Sequence, residues 1–311
     1  SALVPAAAGR TTSYCTGRGY LPRMPAPTRR VALVTGASRG IGRQTALALA
    51  RAGWDVAFTA RTRAEGEGAV PRREGGTAPV EGSLATTAAL VEQAGARALP
   101  VPMDLLDPAS VRAAAATVLE QWGRLDLLVN NAIAHLGHPR LLEADLDDVA
   151  ATMTANYLHQ LALVQAVLPA MLAQGGGTIV NMASGSATSD PPGPPEEGGW
   201  SISYAASKAA LGRLAGGINA EYRAQGIRAF NVDPGFVVTE SLRARGGAEE
   251  IEAAGYPTAP MDAAGRVIAW LGFWGTGLHN VFAYLGLQYT TATNGVILNS
   301  SIPIMIILLG W

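Results

Sequence analysis

Short apolar segments alternate with helical patterns along residues 31–232 of the 311-residue chain. The apolar segments are rich in Ala, Val, Leu and Ile, and they lie at 31–34, 55–61, 98–103, 125–129, 178–182 and 227–232. Helical patterns fill most of the stretches between them, at 43–52, 84–94, 109–122, 145–173 and around Tyr204. This alternation predicts an α/β fold with a doubly wound parallel sheet and helices on both faces. Ligands of such sheets bind at the carboxyl ends of the strands.

Three segments depart from this alternation. Residues 1–30 contain five arginines and no acidic residue, a composition that transit peptides share. We favour the alternative, a disordered leader over 1–29 with Met24 as a candidate natural start. Residues 62–82 are rich in Gly, Pro, Arg and Glu and have no hydrophobic period, which predicts a mobile excursion. Residues 185–203 carry a Pro- and Gly-rich stretch, which predicts a stiff polar loop that overhangs the ligand site.

The first apolar segment runs into a glycine-rich turn that opens a helix, Thr35-Gly36-Ala37-Ser38-Arg39-Gly40-Ile41-Gly42. Such a turn between strand and helix is where dinucleotides place their pyrophosphate. Gly36 permits the tight turn, Gly40 lets the backbone approach the pyrophosphate, and Gly42 lets helix and strand pack closely. The free N–H groups of the helix N-terminus would then point at the phosphates. The alternative is a glycine turn with a structural role only.

The end of the second strand bears on the choice of dinucleotide. A carboxylate near this position holds the ribose 2′-OH of NAD, whereas an arginine accommodates the 2′-phosphate of NADP. The strand ends in Arg61 without a carboxylate at the expected place, and Arg39 can reach the same region. Because two guanidinium groups suit a phosphate dianion, we expect NADP(H) to be favoured over NAD(H). The alternative is that both arginines are solvated surface residues.

Tyr204 and Lys208 lie four residues apart near the start of a helix, so their side chains share one face. A phenol with its ordinary pKa, about 10, is a poor base at neutral pH. A lysine cation beside it would favour the phenolate, lower its pKa and make Tyr204 a proton donor and acceptor. The spacing alone is common in helices. Asn156, a polar amide on an otherwise apolar helix, is a further candidate, with a satisfied core asparagine as the alternative.

Composition removes several classes of function. The net charge of −1 gives no reason to expect nucleic-acid binding. The single cysteine, Cys15, excludes an internal disulfide framework and a cysteine-based metal site, and the four histidines show no metal spacing, so we assign no metal. We expect a cytoplasmic protein.

Taken in order, these motifs resemble the short-chain dehydrogenase/reductase family over roughly residues 28–270. The resemblance rests on the glycine turn at 35–42, the strand end at Asp104, Asn-Asn-Ala at 130–132, Asn156, Ser184, Tyr-x-x-x-Lys at 204–208, and Pro234-Gly235 followed by Thr239. It implies a Rossmann-like fold and an NAD(P)(H)-dependent oxidoreductase that interconverts a carbonyl and an alcohol of a small molecule by hydride transfer. It also implies a homo-oligomer.

The resemblance implies a role for each site residue. Tyr204 would be the catalytic acid/base, and Lys208 would lower its pKa and bind the nicotinamide ribose. Ser184 would hydrogen-bond the substrate oxygen and stabilise charge that develops during hydride transfer. Asn156 would hold a water in the proton relay. The residues implied to contact the cofactor are Gly36, Ser38, Arg39, Gly40, Ile41, Gly42, Arg61, Asp104, Leu105, Asn131, Tyr204, Lys208, Pro234, Gly235, Val237 and Thr239.

The chain departs from the family pattern at three places. Ile133 follows Asn-Asn-Ala where the family usually has glycine, and we expect it to crowd the cofactor slightly. The loop 185–203 is longer than usual, so the family gives no substrate for this chain. After Arg266 no Asp, Glu, Lys or Arg appears, and the apolar tail 271–311 resembles two membrane helices of a drug/metabolite transporter. We therefore predict a catalytic domain over 30–270 and a separate tail.

Two interpretations of the tail compete. In the favoured one the chain is a chimera or a misjoined reading frame that lost its last strand, and the tail causes poor solubility, membrane association or a disturbed oligomer interface. In the other, Gly295-Val296-Ile297-Leu298 supplies the missing strand and the rest packs on the core. A partial transporter cannot transport, because the pathway needs further helices. A catalytically impaired, cofactor-binding or membrane-associated protein is the alternative function.

Overall fold

The computed structural model describes residues 29–72, 75–137, 139–246, 248 and 257–274. Within them a six-stranded parallel sheet has the order β5-β2-β1-β6-β7-β8. This is the doubly wound order of dinucleotide-binding sheets. The prediction of a Rossmann-like α/β fold is therefore confirmed. The sheet strands are β1 (Val31–Thr35), β2 (Asp55–Ala60), β5 (Ala98–Pro102), β6 (Leu127–Asn130), β7 (Gly177–Met182) and β8 (Ile227–Val232).

Helices cover both faces of the sheet. One hydrophobic cluster lies under α3, α5 and α6, and the other lies under α1, α2 and the last described helix, α8. Alternate residues of β1 enter the two clusters, Leu33 the first and Val34 the second, because successive side chains of a strand point to opposite faces. The helices are α1 (Gly40–Arg51), α2 (Leu84–Gln93), α3 (Pro108–Trp122), α4 (Leu146–Met153), α5 (Gln160–Ala173), α6 (Ile202–Tyr222), α7 (Glu240–Arg245) and α8 (Ala263–Trp274).

The centre of the sheet opens a crevice between neighbouring strands. The chain leaves β1 for a helix on one face, whereas it leaves the adjacent β6 for helices on the other face. At such a switch point the connections diverge, and ligands bind outside the carboxyl ends of the strands. The glycine turn and Asn131 both lie at this point.

The segment 62–82, predicted as a mobile excursion, contains an antiparallel hairpin in the structure. Its strands are β3 (Ala69–Pro71) and β4 (Thr77–Pro79). The hairpin buries Val70, Ala78 and Val80, which pack against Ala244 of α7. The excursion is therefore held by a small hydrophobic cluster of its own.

The helical pattern predicted over 145–173 is interrupted in the structure. A wide π turn, Thr154–His159, joins α4 to α5 and carries Asn156 near its centre. Such turns are rare and occur frequently at functional sites.

The ends of the chain fall largely outside the described residues. The predicted leader lies outside the described residues except for Arg29. The predicted tail lies outside them beyond Trp274, and so does the alternative strand 295–298. The predicted boundary at 270/271 falls inside α8. In the described part of the chain, no helix combines the length and the apolar character needed to cross a bilayer.

Candidate active site

Ser184 and Tyr204 meet beside the end of β7. Ser184 lies two residues after the end of the strand, and Tyr204 lies in the first turn of α6. The Ser201 side chain begins that helix by accepting a hydrogen bond from the Tyr204 N–H at 3.4 Å. The Tyr204 and Ser184 side chains are joined by a hydrogen bond. The structure thus places two polar hydroxyl groups together at the sheet edge where ligands bind.

Lys208 lies one turn further along α6, almost completely buried. Its Nζ donates a hydrogen bond of 2.7 Å to the carbonyl oxygen of Met182, the last residue of β7. The same atom lies 6.0 Å from the centre of the Tyr204 ring. Burial lowers the pKa of Lys208 to about 8, and the nearby Asp233 carboxylate partly opposes that shift.

The expected effect of Lys208 on Tyr204 is not what the structure shows. The pKa of Tyr204 is raised, not lowered, because burial outweighs the hydrogen bond from Ser184, and the Asp233 carboxylate adds to the rise. Lys208 is itself buried, and its ammonium group donates a hydrogen bond to a backbone carbonyl. The site therefore holds a protonated phenol at neutral pH.

Asn156 is buried and fully engaged with its neighbours. Its Oδ1 accepts a hydrogen bond from the Ala134 N–H at 2.7 Å, and its Nδ2 donates to the Ala134 carbonyl at 3.1 Å and to Ser207 Oγ at 3.3 Å. Ser207 Oγ in turn donates to the Tyr204 carbonyl at 2.8 Å. Asn156 thus links the segment after β6 to the first turns of α6.

The glycine turn is packed against Asn131 and Ala132. A Cβ on Gly42 would lie 2.3 Å from the Gly36 carbonyl oxygen and 2.5 Å from Asn131 Nδ2, distances that real side chains do not adopt. Asn131 Nδ2 donates to the carbonyls of Thr35 and Gly36 at 2.8 and 3.2 Å. The side chain of Asn131 therefore ties the turn to the end of β6.

The N-terminus of α1 binds a carboxylate from a distant part of the chain. The Gly40 N–H donates a hydrogen bond of 3.0 Å to Oε2 of Glu240, and Arg43 pairs with Oε1 of the same carboxylate. The backbone of this turn is therefore able to hold an anionic oxygen. That is the donor chemistry a pyrophosphate requires, so these residues fit a dinucleotide.

Arg39 reaches the end of β2, as expected. Its Nη2 donates to Thr62 Oγ1 at 3.0 Å and to the Gly82 carbonyl at 2.7 Å, and its Nε donates to the Glu81 carbonyl at 2.8 Å. The segment that carries the hairpin thus holds the guanidinium. Arg61 is exposed beside it.

The remaining predicted cofactor residues surround the same crevice with different degrees of engagement. Ser38 and the Leu105 side chain are buried, and His159 Nδ1 lies 2.6 Å from the Leu105 carbonyl oxygen. Asp104 accepts a hydrogen bond from the Leu106 N–H at 3.0 Å. The others are partly exposed or lie on turns: Ile41, Pro234, Gly235, Val237 and Thr239.

Sequence reasoning missed two acidic residues of the site. Asp233 acts electrostatically on both Tyr204 and Lys208, and Glu240 binds the glycine turn. Asp233 stands beside the Pro234-Gly235 motif, which was a usable signal. Glu240 offered none, because its partner Gly40 lies 200 residues away.

Comparison with known proteins agrees with this geometry. The sequence profile of the short chain dehydrogenase family matches residues 30–250. The chain is 36% identical over 212 residues to the short chain dehydrogenase mpl6 of Monascus purpureus, an alignment that covers 68% of this chain. The chain spans 66% of that relative's length, just under two thirds. The family match ends at 250 and lends no support to the transporter-like interpretation of the tail.

Solved structures give the same result. The fold superposes on a 3-oxoacyl-[acyl-carrier protein] reductase of Brucella melitensis in complex with NAD, with a TM-score of 0.63 and 25% identity over 81% of this chain and 94% of the other. It also superposes on a metagenomic short-chain oxidoreductase in complex with NADP, with a TM-score of 0.58 and 28% identity over 78% and 90% of the two chains. The extent of the profile match places this chain in the short-chain dehydrogenase/reductase family, whose members are oxidoreductases acting on CH–OH and C=O groups.

Proposed function

We propose that the protein interconverts a carbonyl and an alcohol of a small molecule by hydride transfer, with NADP(H) favoured over NAD(H). The observation that carries the proposal is the hydrogen-bonded Ser184–Tyr204 pair, with Lys208 buried behind it, at the end of β7. The crevice that binds ligands in this sheet order lies at the same edge.

When bound, the nicotinamide cofactor supplies or accepts the hydride. Tyr204 holds its proton at neutral pH because burial raises its pKa, so in the reductive direction it donates that proton to the substrate oxygen. Ser184 hydrogen-bonds the same oxygen and stabilises the charge that develops on it. The Lys208 cation then stabilises the phenolate that Tyr204 becomes. In the oxidative direction Tyr204 takes the proton back.

Asn156 supports this arrangement through its bonds to Ala134 and Ser207. We propose that it keeps the first turns of α6 in register with the segment after β6. Its predicted role in holding a water of the proton relay belongs to the same proposal.

The preference for NADP(H) is supported by the position of Arg39 at the end of β2, with Arg61 exposed beside it. The neighbouring carboxylate, Glu65, is engaged by the Gly82 N–H at 2.7 Å and the Thr86 hydroxyl at 2.7 Å. Two cations at this position therefore favour a ribose that carries a 2′-phosphate.

The test of this function combines binding with turnover. We expect the full chain to bind NADPH more tightly than NADH in a fluorescence titration and to oxidise NADPH in the presence of a panel of small ketones and aldehydes. Tyr204→Phe should lower kcat by roughly 10²–10⁴-fold, the usual contribution of a general acid, and change the Kd for NADPH far less, because the ring is kept and only the hydroxyl is lost.

Tyr222→Phe is the matched control, because Tyr222 lies at the far end of the same helix. It should keep full activity. Equal turnover by wild type and Tyr204→Phe would exclude Tyr204 as the acid, and failure of the wild type to bind either dinucleotide would exclude the proposed function.

A further inference from the structure

The carboxylate of Glu240 serves as the anion at the N-terminus of α1. The residue that caps this helix, Arg39, makes no side-chain capping bond. Glu240 caps the helix instead: one carboxylate oxygen accepts a hydrogen bond from the Gly40 N–H, and the other pairs with Arg43. Both side chains of the ion pair are largely shielded from solvent, Arg43 being 17% and Glu240 23% exposed.

A phosphate oxygen of the cofactor would need the same donors. In strand–turn–helix dinucleotide sites the pyrophosphate sits at the helix N-terminus, where backbone N–H groups and the helix dipole favour negative charge. The Gly40 N–H and the Arg43 guanidinium cannot serve Glu240 and a phosphate in the same geometry. The two anions therefore compete.

The segment that carries Glu240 is held by few buried apolar contacts. We call residues 239–245, which comprise Thr239 and α7, the strap. Thr239 begins the strap by accepting a hydrogen bond from the Leu242 N–H at 3.3 Å. None of the α7 residues is buried, and the strap packs on the hairpin through Ala244. The strap therefore has few buried apolar contacts that would oppose its release.

We propose that Glu240 is an internal competitor of the cofactor, and that the strap must release the glycine turn before the pyrophosphate binds. Glu240 thereby sets the affinity for any pyrophosphate-bearing ligand of this turn. The inference rests on the proposed function for the identity of the ligand. A protein whose competent form is only partly populated binds with an affinity reduced by that fraction.

Removing the charge of Glu240 tests the proposal. Glu240→Gln keeps the size of the side chain but loses the ion pair with Arg43. We expect it to tighten the Kd for NADPH and for inorganic pyrophosphate by roughly twofold to fivefold, the range that a charge at a helix N-terminus typically gives. The Kd for adenosine, which lacks phosphate, should not change.

A thermal-shift measurement supplies a second signature. Without ligand, Glu240→Gln should melt at a lower temperature than wild type, because α1 loses its charged partner. With saturating NADPH the shift in Tm should be larger in Glu240→Gln than in wild type. A merely structural role for Glu240 predicts the first change without the second.

Glu120→Gln is the matched control. It makes the same change of charge at an exposed position of α3, which covers the opposite face of the sheet from α1. This variant should leave every Kd at its wild-type value. Equal or weaker pyrophosphate binding by Glu240→Gln would overturn the competitor role. Failure of all three proteins to bind NADPH would count against the proposed function instead, and the pyrophosphate titration would still decide the role of Glu240.

Discussion

At the scale of single residues, the pattern Tyr-x-x-x-Lys predicted which side chains share a helix face but not their protonation. The sign of the Tyr204 shift depends on burial, and burial depends on β7 and on the loop after it, which the spacing does not contain. The same holds for Lys208, whose carbonyl partner belongs to Met182. The residue types were predictable, and their electrostatics were not.

Asp233 gives a prediction at this scale. Its carboxylate raises the pKa of Lys208, which burial lowers to about 8. The Lys208 cation is present below that pH and is lost as the pH rises through it. Asp233→Asn removes the carboxylate's contribution, so the alkaline limb of the kcat profile for carbonyl reduction should move to lower pH. An Asn side chain can still accept the Gly235 N–H bond that Asp233 accepts at 2.9 Å.

Asp190→Asn, an exposed acid of the 185–203 loop, serves as the comparison and should leave the profile in place. An alkaline limb that Asp233→Asn does not move would show that Lys208 does not set it.

At the scale of elements, the glycine turn was predictable and the hairpin was not. The turn has a residue-level signature, because a Cβ on Gly36 or Gly42 would strike backbone atoms and Gly40 has a positive φ of 57°. The hairpin strands are three residues long, and only the middle residue of each, Val70 and Ala78, is buried. Ala244, which packs against these two residues, is far away in the sequence, so no local hydrophobic period predicts the hairpin strands. The π turn likewise leaves the apolar pattern of its helix intact.

Replacing glycine by alanine is predicted to have opposite effects on the stability of the fold at two positions. Gly42→Ala places a methyl group 2.3 Å from the Gly36 carbonyl oxygen and should destabilise the fold by about 1–3 kcal/mol while weakening NADPH binding. Gly217→Ala, inside α6 and with no atom within 4 Å of the added methyl group, should stabilise it by about 0.5–1 kcal/mol.

Urea unfolding measures both changes. A destabilised Gly217→Ala, or a Gly42→Ala protein as stable as wild type, would contradict the packing described for the turn and the helix.

At the scale of the whole molecule, the doubly wound parallel sheet was predictable because the alternation of strands and helices admits few arrangements. The packing of α8 against α1 was not, since the sequence there is dominated by the apolar tail. Ile268 of α8 is completely buried in the same cluster as Ala46 and Leu49 of α1. The last described helix therefore contributes to the core that also packs α1 against the sheet.

Ile268→Ala should lower the free energy of unfolding by about 2–5 kcal/mol, because it leaves a cavity in that cluster. Leu142→Ala removes a side chain that is 99% exposed and should stay within about 0.5 kcal/mol of wild type. Chemical denaturation of the full chain separates the two. Equal effects would mean that α8 does not pack on α1 in solution.

The contacts of Arg39 with the segment around the hairpin have a consequence for how such an enzyme changes over evolution. Arg39 holds that segment, the hairpin supports the strap, and Glu240 of the strap returns to the residue next to Arg39. The contacts form a closed circuit. Under the proposed function, we expect a substitution that changes the preference for NADP(H) at one point of the circuit to change the affinity for either dinucleotide as well. Selectivity and affinity should then change together rather than separately.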